Sequence, residues 1–198
     1  MPSSSSDSLP EDSTTTTTRI NVFHQRQKWL RCGLHAVNNL LQQDLATPQE
    51  FDQIASSHEA LTGKGPLLYR VGLGDYDGNT IIEFLQSRAS CQVDFIDRRN
   101  AKESIRQQLE NRDTNTANKT LKGFLVNVKG KKRWIPSSIY SSRHWYAVVQ
   151  VRPNEWYTVD SSKDQVEKVD VVLAHLEAIQ DDEMLDAHLM AVRGVKKS

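Results

Sequence analysis

A chain of 198 residues with 25 Lys or Arg and 25 Asp or Glu has a formal net charge of zero. That argues against a dedicated nucleic-acid binder, which carries a basic excess or a basic face. No stretch nears the 18 or so consecutive apolar residues of a membrane span, and two cysteines are too few for a disulfide scaffold. The length fits one domain whose core needs neither disulfide nor metal. With no apolar run at its start, the chain reads as an intracellular protein, cytoplasmic or nuclear.

Residues 1–18 form a low-complexity leader in which eleven positions are Ser or Thr. Too little apolar area is available there to offset the entropy of ordering, so this segment is expected to be disordered. The domain then runs from Arg19 to Val195, followed by a short basic tail, residues 196–198. Within it, Cys32 to Gln43 carries Leu34, Val37, Leu40 and Leu41 at helical spacing. Thr47, Pro48 and Glu50 make a capping box with proline in the first turn, predicting a helix to about Leu61. The five glycines between Gly63 and Gly78 predict a long loop. It lacks the G-K-[ST] ending of a phosphate cradle, and loops of this length often gate a cleft. A third helix is expected over Thr80 to Ser90, and Asn100 with Glu103 predicts a fourth from Ala101 to Asn111.

Strands follow. Gln92 to Ile96 is short, and Gly123 to Val128 (GFLVNV) is a clear apolar run. Trp145 to Val151, a turn at Arg152–Glu155, and Trp156 to Val159 form a hairpin rich in strand formers. A last helix is expected over Val166 to Ile179 and a last strand over His188 to Val192. Helices first and hairpins later indicate an α+β fold, with the helical part packed on an antiparallel sheet.

The chemistry centres on Cys32. A cysteine nucleophile needs an activated thiol, a base and oxyanion donors. Cys32 stands where a helix should begin, and the positive end of the helix dipole favours a thiolate there. A cysteine at a helix start is also commonly an inert buried thiol. Gly33 beside it would leave room for a substrate backbone. His144 enters the first hairpin strand and Asp160 leaves the second, so both lie at the open end of one hairpin. Counted across a two-residue loop, positions 144 and 160 point to opposite faces. A bulge or irregular turn is therefore predicted if they act together. Without that pairing they simply cap strand ends. Gln27, five residues before Cys32, can donate an amide to an oxyanion, and Gln25 can do so equally well on chemistry alone. His35, one turn after Cys32, is an alternative base or half of a metal pair. It has no evident carboxylate to orient it and no second ligand pair, so no metal or other cofactor is expected. Cys91 reads as a buried, inert thiol. Lys129 to Arg133 reads as a solvated hairpin tip.

The run FHQRQKWLRCGLHAVNNLLQ, with GFLVNV, RHWYAVV and WYTVDS in that order, resembles the Josephin family of cysteine proteases that act on ubiquitin. The resemblance spans roughly Ile20 to Gly194. It implies a papain-like fold and cleavage of isopeptide or peptide bonds after the C-terminal glycine of ubiquitin, with ubiquitin and ubiquitinated proteins as partners; the alternative is a ubiquitin-binding module with little or no turnover. It places the nucleophile on Cys32, the base on His144, the orienting residue on Asp160 and the oxyanion glutamine on Gln27 rather than Gln25. Trp29, near Cys32 and outside any apolar period, and Trp145 beside His144 are the candidates for the substrate cleft. Arg31 and Gly33 depart from the apolar or small residues, such as Leu and Ala, common at these positions in the family. The absence of further helices after the domain resembles the short, single-domain branch.

Overall fold

The computed structural model describes residues 21–62, 76–110, 119–129 and 143–195. The leader, the tail, most of the glycine-bearing loop, most of the basic turn after Lys129, and Trp134 lie outside the described residues.

Among the described residues, six strands form one antiparallel sheet: β1 (Cys91–Phe95), β2 (Lys119–Lys129), β3 (Arg143–Arg152), β4 (Glu155–Val159), β5 (Glu167–Val169) and β6 (His188–Val195). Their spatial order is β1-β6-β2-β3-β4-β5, so the last strand inserts between the first two, one place in from the β1 edge. Among the described residues, five α-helices cover the sheet: α1 (Cys32–Leu41), α2 (Pro48–Thr62), α3 (Gly78–Ser87), α4 (Ala101–Glu110) and α5 (Val172–Asp181). The arrangement is α+β.

Both faces of the sheet are covered. Leu125, Trp145, Ala147, Val149, Met190 and Val192 pack with residues of α1, α2 and α3. The alternate residues Phe124, Val126, Val148, Trp156, Leu189 and Ala191 pack with Ile105 of α4 and with Leu176 and Ile179 of α5. This two-sided burial explains why GFLVNV is apolar without alternation. Helix α1 is buried from Cys32 to Leu40, so its amphipathic pattern gives way to burial on every side, and its polar residues must find internal partners.

Local chemistry sets the helix starts. Thr47 and Glu50 form the expected capping box: the Glu50 N–H donates to Thr47 Oγ1 at 3.3 Å, and the Thr47 N–H donates to Glu50 Oε2 at 3.2 Å. Helix α3 starts at Gly78, two residues before the expected Thr80, because Asp77 caps it by accepting the Thr80 N–H at 2.9 Å. Ahead of α4, Arg98–Asn100 forms a 3-10 turn whose cap is Asp97.

The expected helix over Val166 to Ile179 is shorter than its apolar pattern. Glu167–Val169 instead pairs with Trp156, Tyr157 and Thr158 as edge strand β5, and the helix begins only at Val172. Pairing with β4 overrides local propensity here, since it satisfies backbone groups that β4 would otherwise leave open.

One glycine is required by geometry. Gly123 lies at φ +153°, at a register irregularity between β2 and β6. A Cβ placed there would lie 2.2 Å from the Val148 carbonyl oxygen. Gly123→Ala is therefore expected to cost more than about 1 kcal/mol, because alanine cannot relieve that backbone contact. A urea melt measures it, and an unchanged midpoint would contradict the assignment.

Candidate active site

The hairpin that carries His144 and Asp160 contains the predicted irregularity. Pairs from Ala147↔Val159 to Gln150↔Trp156 keep one register, which shifts between Gln150 and Arg152 before Arg152↔Glu155. The two-residue loop Pro153–Asn154 turns with Asn154 at φ 64°, a left-handed conformation that asparagine tolerates. Val151 is the extra residue. Continued by one step, the shifted register sets Asp160 opposite Tyr146, on the face that Tyr146 shares with His144.

His144 Nε2 lies 2.8 Å from Asp160 Oδ1. The same carboxylate oxygen accepts the backbone N–H of Ser162 at 2.9 Å and its hydroxyl at 2.8 Å. Burial works against the charge on Asp160, but the imidazole and the Ser162 donors outweigh it and hold its pKa down to about 2. Burial likewise works against charge on His144, while Asp160 and Cys32, both hydrogen-bonded to the ring, raise it to about 9. Because Nε2 is taken by Asp160, Nδ1 is the ring nitrogen left for Cys32. The pair stabilises the fold within a window. The Asp160 contribution is lost as pH falls through about 2, and that of His144 as pH rises through about 9.

Cys32 is the first residue of α1, and Arg31, its N-cap, makes no side-chain capping hydrogen bond to the helix. The sulfur lies 4.0 Å from the Arg143 carbonyl oxygen, so the helix start meets the start of β3. Arg143 is itself anchored: its guanidinium donates to the Asn127 side chain and backbone and to Asp186. Arg31 hydrogen-bonds Tyr76, whose hydroxyl donates to Asp52 at 2.6 Å. That guanidinium links α1 to the hydroxyl on which α2 also converges.

The lead-in segment before α1 is tied to the end of β4. The Gln27 N–H donates to the Ser161 carbonyl at 2.8 Å, and the His24 ring lies 3.0 Å from the Asp160 carbonyl. The structure separates the two glutamines. Gln25 turns inward: its Oε1 contacts His35 Nδ1 at 2.8 Å and Asn38 Nδ2 at 2.9 Å, and its Nε2 donates to Asp44. Gln27 donates its amide to the Trp29 carbonyl at 2.7 Å, and its Oε1 is buried with no partner among the described residues.

Several other sequence expectations are refined. His35 is committed on both ring nitrogens, to Lys28 and Gln25, so neither is left for a proton relay or a metal. Among the described residues, no group of three or more His, Cys, Asp or Glu is placed to hold a metal ion. Gly33 does not open space for a substrate. A Cβ there would meet Ile81 Cδ1 at 3.0 Å and Trp145 Cδ1 at 3.6 Å, so its size serves the packing of α1. Trp145, an expected cleft residue, is buried in the core beneath α1. Its ring fills the space beside Gly33 and Gly78 and does not face solvent. Trp29 is 71% exposed and has φ 61°, an uncommon conformation for a bulky residue, of the kind that clusters at functional sites. Cys91 is buried, and burial raises its thiol pKa despite Lys122 nearby. The glutamine assignment depends on contacts far apart in sequence, and no local signal distinguishes Gln25 from Gln27.

A profile of the Josephin family matches residues 68–187, a stretch that includes His144 and Asp160 and begins after Cys32. The chain is 28% identical over 176 residues to a Josephin-like protein of Drosophila melanogaster, covering 86% of this chain and 73% of the fly protein. Human Josephin-2 is 29% identical over 140 residues, covering 71% of this chain and 68% of its own. A Josephin-like protein of Arabidopsis thaliana is 30% identical over 151 residues, and the match spans only 38% of the plant protein.

The His144 imidazole is expected to titrate near pH 9 by NMR. Asp160→Asn should move the midpoint downward, because burial then acts with less opposition. A wild-type midpoint at or below the ordinary value of about 6.5 would contradict the pairing.

Proposed function

The chain belongs to the Josephin family, and on that premise we propose that it is a thiol-dependent deubiquitinase. In this reading it hydrolyses isopeptide or peptide bonds after the C-terminal glycine of ubiquitin. Family membership supports a cysteine-protease role of the deubiquitinase type. The observation that carries the reading for this chain is the His144–Asp160 pair, closed to 2.8 Å and raised in basicity beside Cys32.

The steps follow from that geometry. His144, held by Asp160 through Nε2, takes the Cys32 thiol proton on Nδ1 and stays as an imidazolium beside the thiolate. The sulfur attacks the glycine carbonyl, whose oxygen becomes an oxyanion. The Cys32 backbone N–H at the start of α1 and the Gln27 amide are the donors for it. The Gln27 amide has two N–H donors: one is given to the Trp29 carbonyl, and the second is the one offered to the oxyanion. The imidazolium protonates the leaving lysine or α-amine as the C–N bond breaks, leaving a thioester. Water, deprotonated by His144, then hydrolyses the thioester and regenerates the thiol. Trp29, exposed beside Gln27, is the side chain of this segment offered to the ubiquitin tail.

Ubiquitin carrying an electrophile in place of its C-terminal carboxylate tests the reading. Wild type and Cys91→Ala are expected to form a covalent adduct and Cys32→Ala none. No adduct with folded wild type would overturn the proposal. Gln27→Ala is expected to lower kcat by about 10²–10³, the usual effect of losing one oxyanion donor. A loss under about threefold would leave the backbone donor as the oxyanion site.

A further inference from the structure

His35 takes no part in the proton transfers above, yet it is buried at 5% exposure one turn from the nucleophile. Its two ring nitrogens are fixed by two independent constraints. On one side, the Lys28 backbone N–H points at Nε2 at 3.1 Å. A backbone N–H can only donate, so Nε2 must hold a free lone pair. On the other side, Gln25 Nε2 faces Asp44 Oδ1 at 3.0 Å and Asn38 Nδ2 faces Gln25 Oε1 at 2.9 Å. A carboxylate accepts and an amide nitrogen donates, so the Gln25 oxygen is the atom turned toward His35. Nδ1, at 2.8 Å, is therefore the protonated nitrogen. Both constraints select one neutral tautomer.

The same network grips the residues on either side of Gln27. Asn39 Oδ1 accepts the Gln25 N–H at 2.6 Å, and Asn39 Nδ2 donates to the Gln25 carbonyl at 3.3 Å. Asn38 Oδ1 accepts from Leu45 and Ala46, which secures the turn that brings Asp44 to Gln25. The lead-in segment is thus clamped to α1 at Gln25 and again at Lys28, with Gln27 between the clamps and Cys32 on the helix that supplies them.

We propose that His35 is a positioning residue for the oxyanion donor: its Nδ1-protonated imidazole holds the Lys28 backbone on α1 and thereby fixes Gln27 relative to Cys32. The inference rests on the function proposed above. Burial, together with the charges of Arg31 and Lys28 and against the pull of Asp44, keeps the ring below its ordinary pKa, in the neutral form that the Lys28 contact requires.

Turnover of a ubiquitin C-terminal amide substrate by His35→Asn and His35→Gln, each in wild-type and Gln27→Ala backgrounds, tests this. Asparagine reaches the Gln25 side of the imidazole and glutamine reaches the Lys28 side. His35→Asn is expected to lower kcat at least about tenfold with KM within about threefold, and His35→Gln to recover most of the loss. In Gln27→Ala, His35→Asn should cost less than about twofold, since the group it positions is gone. Equal costs in both backgrounds, or a rise in KM alone, would overturn the inference while leaving the proposed function standing. Absence of wild-type turnover would overturn the function itself. Long-range proton–nitrogen NMR of folded wild type reads the tautomer independently of activity, with Nε2 protonation as the contradicting result.

Discussion

One extra residue in a hairpin decides whether this site exists. His144 and Asp160 sit at the open end of β3 and β4, and a regular ladder closed by Pro153–Asn154 would point them to opposite faces of the sheet. The shift at Val151 returns them to one face, where a single oxygen of Asp160 meets the ring and both Ser162 donors. Asp160 is then both the counter-charge for His144 and an anchor. Its carbonyl contacts His24, and its neighbour Ser161 accepts the Gln27 N–H. The elements of the proposed chemistry therefore converge on a two-residue strand end.

The second support is polar and buried. Helix α1 is enclosed by α3 and by β2, β3 and β4, so any polar side chain it carries must be satisfied internally or cost the full desolvation of the group. Asn38, Asn39 and His35 meet that requirement by binding the lead-in segment and the turn before α2. A network closed in this way specifies one placement of the segment, where an apolar contact would tolerate sliding. The close packing of Gly33 on Ile81 and Trp145 sets how deeply the helix sits against β3, and hence where Cys32 meets Arg143 and His144.

Much of this was legible from residue order. The capping box at Thr47, the apolar run of β2 and the hairpin of β3 and β4 are local patterns, and each forms as its pattern predicts. The need for a bulge followed from parity alone once His144 and Asp160 were paired. What sequence could not supply was tertiary in origin. Strand β5 is three residues with no periodicity of its own and exists because β4 has an edge to fill. Gln25 and Gln27 are chemically identical, and only the position of Asp44 and Asn38 turns one inward. Trp145 looks like a rim residue beside His144 until the space next to Gly33 and Gly78 is seen to need an aromatic ring.

The proposed chemistry requires Cys32 to be an activated thiol through His144 while Cys91 is an inert one. Timed alkylation of the folded protein with iodoacetamide at neutral pH, with both cysteines followed by mass spectrometry, reads this directly and needs no substrate. Cys32 is expected to be modified well ahead of Cys91, and His144→Ala to remove the lead. Preferential modification of Cys91, or a Cys32 rate indifferent to His144→Ala, would contradict it.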